Sequence, residues 1–335
     1  MTPSRGPAVP EVFVTLDSIR AAARILAGKV HRTPLWSSRT LSAMTGHQVW
    51  LKCENLQKTG CFKPRGALNK IAGLGSAERA RGVLAASAGN HAQGLAWAAG
   101  RLGIPVMVVM PAAASQAKID AVRSMGADIV LHGEIFDDAL EKSLEIAKAT
   151  GMTYVHPCID PDVIAGAGTI GVEILEDLPD ADAIVAPIGG GGLISGIAVA
   201  ARALRPQTRV FGVQPETAPS MLRAMQTGRV VRLESARSIA DGMAGKAVFE
   251  ETLAIARSHV EQVALVSDAS ILRAITLLLS RCKLLAEGAG AGPLAALLDG
   301  SLPLPAGSKV VSVVSGGNLD LQQLSGWLVG GLPAA

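Results

Sequence analysis

Aromatic residues are scarce in this 335-residue chain: they make up 3% of it and include a single tyrosine. A core must therefore be filled by Ala, Val, Leu and Ile, and apolar residues do reach 49% of the sequence. Long apolar runs are missing too, and none approaches the ~20 residues that a membrane-spanning helix needs. Neither sign of charge dominates, with 31 basic and 28 acidic side chains interspersed for a net +3. That balance gives no electrostatic reason to expect nucleic acid or an anionic membrane as partner. The cysteines Cys53, Cys61, Cys158 and Cys282 form no CxxC pair, which reads as reduced thiols in a cytoplasmic protein. Met1 to Val14 carries three prolines and lacks a basic-then-apolar signal pattern, so export is not expected.

Several catalytic patterns are absent as well. There is no HExxH and no GxSxG, which removes the usual zinc-protease and serine-hydrolase readings. The histidines His31, His47, His91, His132, His156 and His259 do not pair at metal-ligand spacing, so no catalytic metal is expected.

What is present is a repeated unit: a short apolar run, a glycine or polar turn, then an alanine-rich helical stretch. Val83 to Ser87 leads into Ala92 to Leu102, Val106 to Pro111 into Ser115 to Met125, and Asp128 to Leu131 into Phe136 to Thr150. Further on, Ala183 to Ile188 leads into Leu193 to Leu204, and Arg209 to Val213 follows. Such alternation predicts parallel strands with crossover helices, an α/β protein that binds ligands at strand C-terminal ends. Arg79 to Thr150 is long enough for a small sheet of its own, so two packed α/β domains flanking a cleft are expected. A single helix is predicted over Asp268 to Glu287.

Three segments sit where a loop should meet a helix. In Thr59-Gly60-Cys61-Phe62-Lys63-Pro64-Arg65-Gly66-Ala67, Lys63 lies between a glycine turn and a predicted helix, with Pro64 suited to the first helical position. A lysine there becomes a nucleophile if desolvation or positive neighbours destabilise its ammonium; taken alone it reads as a solvated lysine. In Ser87-Ala88-Gly89-Asn90-His91-Ala92-Gln93-Gly94, backbone amides at a helix entrance can cradle a carboxylate, although an ordinary helix cap has the same look. Gly189-Gly190-Gly191-Gly192-Leu193 follows a predicted strand and precedes a helix. Consecutive glycines let amides converge on a phosphate. This stretch fits neither GxGxxG nor the P-loop, which argues against a nicotinamide dehydrogenase and a P-loop nucleotidase.

A lysine, a carboxylate cradle and a phosphate cradle are together what an enzyme using pyridoxal 5'-phosphate requires. From about Thr15 to Leu324 the chain resembles the fold-type II pyridoxal-phosphate enzymes, and among them the short biodegradative threonine dehydratases and serine racemase. The resemblance is carried in order by His31-Arg32-Thr33-Pro34-Leu35, the Lys63 motif, Ser87 to Gly94, Val163 to Thr169, Gly189 to Leu193, and Ser315-Gly316-Gly317-Asn318.

It implies two open twisted sheets with flanking helices: residues 1–75 and 156–335 forming a large cofactor-binding domain, and 76–155 a small one. It implies that Lys63 forms the Schiff base and then removes the substrate's α-proton, with Phe62 against the cofactor ring. Asn90 would bond the ring oxygen, Gly189, Gly190, Gly191, Gly192 and Leu193 the phosphate, and Ser315 would stand beside the pyridine nitrogen. Ser87, Ala88, Gly89, Asn90 and His91 would hold the substrate carboxylate. The implied reaction is dehydration and deamination of L-threonine or L-serine to 2-oxobutyrate or pyruvate and ammonia, with the cofactor phosphate protonating the leaving hydroxyl. A homodimer or homotetramer is implied.

Some positions depart from the pattern. Ala88 stands where racemases of this family have a proton-transferring serine, so little racemisation is expected. Gln214 and Ser220 stand where serine racemases place metal-binding carboxylates, so no divalent-ion requirement is expected. Cys61 replaces a serine, as a packing change or as a tuning of substrate choice or oxidation sensitivity. The chain ends soon after Asn318, so isoleucine feedback through an added regulatory domain is not expected. The competing readings are a dehydratase for 3-hydroxyaspartate, phenylserine or a hydroxyectoine-degradation intermediate, a β-replacement enzyme, and a non-catalytic pyridoxal-phosphate-binding protein.

Overall fold

A computed structural model describes residues 13–330; most of the proline-bearing segment Met1 to Val14 lies outside them. Ten strands in the described residues form two sheets with helices between and around them. The larger sheet contains β1 (Leu35–Ser37), β2 (Gln48–Cys53), β7 (Ala183–Pro187), β8 (Arg209–Pro215), β9 (Gln262–Val266) and β10 (Lys309–Val314), in the order β1-β2-β10-β7-β8-β9. Only β1 runs antiparallel to its neighbour there. The smaller sheet contains β3 (Val83–Ala86), β4 (Val106–Met110), β5 (Asp128–Leu131) and β6 (Thr153–Tyr154), in the order β5-β4-β3-β6, all parallel.

Every residue of β3 and β7 is buried, as parallel strands covered on both faces should be. The sequence-predicted runs coincide with β3, β4, β5, β7 and β8 to within two residues at each end. The strands β1, β2, β6, β9 and β10 were not predicted; β6, at two residues, carries no readable alternation.

In the large sheet β7, β8 and β9 follow one another outward in chain order, and the chain then crosses back to lay β10 on the other side of β7, beside β2. The switch lies between β7 and β10, where an open α/β sheet leaves a crevice at its strand C-terminal ends. The loops leaving β2, β7 and β10 are those that carry Lys63, the glycine run and Ser315.

Small residues let the helices near this crevice approach closely, which is how a core poor in aromatics closes. The helix Pro161–Asp177, which contains Val163 to Thr169, lies on the helix Lys63–Ala72. A Cβ added to Gly66 would come within 2.7 Å of the Val163 carbonyl oxygen, and one on Gly166 within 2.5 Å of the Arg65 carbonyl oxygen.

The helix predicted over Asp268 to Glu287 is broken. Its α-helical part ends at Leu277, a π-helical turn spans Leu278–Cys282, and Lys283 takes a left-handed conformation with φ 61°. The break frees the Leu285 carbonyl to accept the Asn55 side-chain N–H at 3.0 Å and brings Glu287 back beside Gly316. Amphipathic spacing alone does not reveal such a break.

Candidate active site

Lys63 opens its helix, with Phe62 as N-cap and Pro64 in the second helical position rather than the first. Its Nζ lies 4.9 Å from the centre of the Phe62 ring and donates to the Pro157 carbonyl oxygen at 3.1 Å. The helix Asn90–Leu102 passes so near that a Cβ on Gly94 would come within 2.9 Å of Lys63 Cβ. This brings the second motif beside the first.

The loop after β10 zips onto the lysine loop. The Phe62 N–H donates to the Ser315 carbonyl at 3.0 Å and the Gly317 N–H to the Gly60 carbonyl at 2.8 Å. Cys61 faces Gly316 in this pairing and is buried, and its burial pushes the thiol pKa up to about 12. A thiol so placed is a packing group and a poor nucleophile. Ser315 is buried where this loop leaves β10.

The glycine run turns from β7 into the helix Gly192–Leu204. From Gly189 to Ile194 no backbone N–H finds an acceptor among the described residues; the first that does is Ser195, which donates to the Gly191 carbonyl at 3.0 Å. The glycines are also needed sterically: a Cβ on Gly190 would meet Cys158 Sγ at 2.5 Å and one on Gly189 the Gly242 carbonyl oxygen at 2.3 Å. A row of unpartnered amides at a helix N-terminus is the donor set a phosphate takes. The site therefore fits the phosphate of pyridoxal phosphate, with the Lys63 amine available to its aldehyde.

The Ser87–His91 turn has the same character. The Ser87 hydroxyl accepts the Gly89 N–H at 3.1 Å, while the amides of Ala88, Asn90 and His91 find no acceptor among the described residues. The Asn90 side chain is held from both ends: it donates to Glu287 Oε1 at 2.7 Å and accepts from Asn318 Nδ2 at 2.7 Å. Its second N–H remains for another acceptor. The His91 ring is engaged with the Val155 carbonyl at 2.9 Å, and burial, then the Lys63 charge, push its pKa down to about 3. Its ring ties two elements together, so only its amide serves the cradle.

Two parts of the site were missed in the sequence. The first is the loop after β6. Pro157 holds the Lys63 amine, and Cys158 packs on Gly190 and Gly192, so consecutive residues link the lysine to the glycine run. Asp160 and Pro161, an N-cap and first helical residue, marked the end of that loop but not its direction. The second is Glu287. It is partly open to the cleft, and burial, aided by the nearby Asp241, pushes its pKa up to about 7. A lone carboxylate in the otherwise apolar Leu284–Leu298 was its one signal.

The arginine of the lysine motif has a different task. Arg65 is 1% exposed and grips both oxygens of Glu54 at 2.8 Å each, together with Glu173, Thr169 and the His31 carbonyl. Thr33 also donates to Glu54, and Lys52 bonds Glu173 at 2.6 Å. The segments around His31, Lys63 and Thr169 thus meet in one buried ionic cluster beneath the site.

At the positions where serine racemases are expected to place metal-binding carboxylates, Gln214 bonds Ser220 at 3.2 Å and accepts the Met221 N–H at 2.9 Å. Its side chain therefore serves as a helix cap.

The model of the family described as pyridoxal-phosphate dependent enzymes matches residues 26–316. The L-threonine ammonia-lyase of Thermotoga maritima is 49% identical over 312 residues, which is 93% of this chain and 77% of that protein. Among solved structures, a threonine deaminase from T.th. is 42% identical with a TM-score of 0.86, over 91% of this chain and 99% of that one. Maize serine racemase is 36% identical with a TM-score of 0.90, over 95% of this chain and 97% of that one.

Proposed function

The chain belongs to the pyridoxal-phosphate dependent enzymes, and from that membership we propose that it dehydrates and deaminates L-threonine, and L-serine, to 2-oxobutyrate or pyruvate and ammonia. The observation that carries the reading is the lysine amine at the mouth of a parallel sheet, one loop away from the unpartnered amides of Gly189–Ile194. Likeness over 93% of the chain to an L-threonine ammonia-lyase supports the substrate class.

Pyridoxal phosphate, when bound, supplies the electron sink for the pair left at the substrate α-carbon. Lys63 would hold the cofactor and then move the α-proton through Nζ. The amides of Gly189 to Leu193 would hold the phosphate, Phe62 would pack against the ring, and Asn90 would bond the ring oxygen through its remaining N–H. The amides of Ser87–His91 would fix the substrate carboxylate. Ser315 would face the pyridine nitrogen with a neutral hydroxyl, which stabilises positive charge there less than a carboxylate does. Loss of the β-hydroxyl is then favoured over return of the proton. Ala88 has no proton to give on the opposite face. Residues 76–155 are assigned to a small domain, and 1–75 with 156–335 to a large one. A homodimer or homotetramer is proposed, which light scattering would decide.

The test is to reconstitute the purified protein with pyridoxal phosphate, record visible absorbance, and add L-threonine. A visible band and release of 2-oxobutyrate are expected, with little D-serine formed from L-serine. Absence of any band after reconstitution would sink the cofactor assignment. A band without oxo acid would move the substrate to another β-hydroxy amino acid.

A further inference from the structure

The loop after β6 carries a side chain that the reading above leaves without a role. His156 Nδ1 accepts the backbone N–H groups of Cys158 and Ile159, each at 3.1 Å. A ring nitrogen that accepts cannot carry a proton, so the imidazole is fixed as the tautomer protonated on Nε2. The ring stands edge-on to Phe249, with centroids 4.8 Å apart. Phe249 in turn closes on the glycine run, since a Cβ on Gly190 would lie 3.1 Å from its ring. Pro157, the next residue, holds the Lys63 amine, and Cys158 packs on Gly190 and Gly192. Nε2 has no hydrogen-bond partner among the described residues and is not among their fully buried unpartnered atoms, so it keeps some accessible surface.

Building on the β-hydroxy amino acid reading, we propose that His156 is a substrate-recognition residue whose Nε2–H donates to the substrate β-hydroxyl beside the glycine run, selecting a hydroxyl over other leaving groups. Burial, then the positive charge of Lys63, push the ring's pKa down to about 4. The ring is therefore a neutral donor, too weak an acid to protonate the departing oxygen, and its task is to orient that oxygen. Reversal of donor and acceptor would break two backbone hydrogen bonds. His91 cannot substitute, because its Nε2 is already held by Val155.

The test separates recognition from loop packing. In His156→Asn the side-chain oxygen can accept from the amides two and three residues on, as Asp160 does with Asp162 and Val163, while Nε2–H is gone. Its kcat/KM should fall about tenfold on L-threonine and L-serine, the size of one hydrogen bond. On β-chloro-L-alanine, whose leaving group accepts hydrogen bonds poorly, it should change by less than about twofold. The cofactor dissociation constant should not move. Parallel losses on all three substrates, no loss on any, or weakened cofactor binding would overturn the proposal. If His156→Asn does not accumulate, His156→Ser caps the same amides and allows the same comparison. A wild type that turns over β-chloro-L-alanine but no hydroxy amino acid would instead sink the functional reading.

Discussion

Residues 63 and 65 stand two apart on one helix and serve two polar regions of opposite character. Beneath the helix, Arg65 meets Glu54, Glu173, Thr169 and a carbonyl, and Lys52 and Thr33 complete the set. Charges balance there and each guanidinium nitrogen has a partner. Above it, Lys63 has one carbonyl partner, Pro157, and the next residue, Cys158, packs on the run Gly189 to Ile194, whose amides have no partner among the described residues. Buried polar groups in a folded protein are nearly always paired, so a row of free donors persists where a ligand completes it. The closed cluster holds the helix in place, and the open one has the donors that the proposed cofactor phosphate would take.

Removing one side chain from each region should break the comparison in opposite ways. Lys63→Ala should abolish turnover and the visible cofactor band, with kcat down by at least about a thousandfold. The unfolding midpoint of the cofactor-free protein should barely move. Arg65→Met should strand Glu54 and leave Glu173 with Lys52 as its one ionic partner, costing about 3–5 kcal/mol of stability, measured by urea unfolding of the cofactor-free protein. If Lys63→Ala unfolds the protein, or Arg65→Met leaves its stability intact, the division into a reactive and a structural region is wrong.

The sequence made the open region more legible than the closed one. Glycine runs and a lysine after a glycine turn are local signals, and Lys63, Asn90, the glycine run and Ser315 do converge at strand C-terminal ends. Five strands, β3, β4, β5, β7 and β8, were readable because each is a short apolar run followed by a turn and a helix. Arg65, Glu54 and Glu173 pair across 11 and 108 positions, and nothing in spacing tells a buried arginine from a solvated one. Glu287 and the His156–Cys158 loop were hidden for a related reason: a broken helix and a two-residue strand deliver them.

The two glycine-bearing cradles differ in a way that smaller changes can sharpen. Gly190 is wedged against Cys158 and Phe249, whereas a Cβ on Gly89 has nothing within 4 Å. Gly190→Ala should overpack its site by about 1–3 kcal/mol, and the cofactor dissociation constant should rise correspondingly. Cys158→Ala in the same chain removes the Sγ in the way and should restore part of the affinity. Gly89→Ala should leave cofactor affinity within about twofold. Equal effects of the two alanines would mean that the tight packing around Gly190 does not shape the phosphate cradle.

The last contrast is between two carboxylates. Burial works against the charge of Glu54, but Arg65 and then Lys52 overcome it and hold its pKa below the usual value. Burial dominates at Glu287, where the Asn90 amide at 2.7 Å offsets too little of it, Asp241 adds to it and Lys118 opposes it, so the pKa rises to about 7. A carboxyl whose folded pKa lies above its unfolded value contributes stability that is complete below the unfolded pKa and lost as pH rises through the folded one. The cofactor-free protein should therefore lose stability on this account between the ordinary value of 4.5 and about pH 7, by no more than about 1.4 kcal/mol per pH unit for a single proton. Glu287→Gln keeps an acceptor for Asn90 but cannot titrate, so its stability should fall less over that window in chemical unfolding. Equal slopes for the two proteins would mean that water reaches Glu287 as freely as it reaches a surface carboxylate, and the cleft would then not be the poorly solvated site that the free amides require.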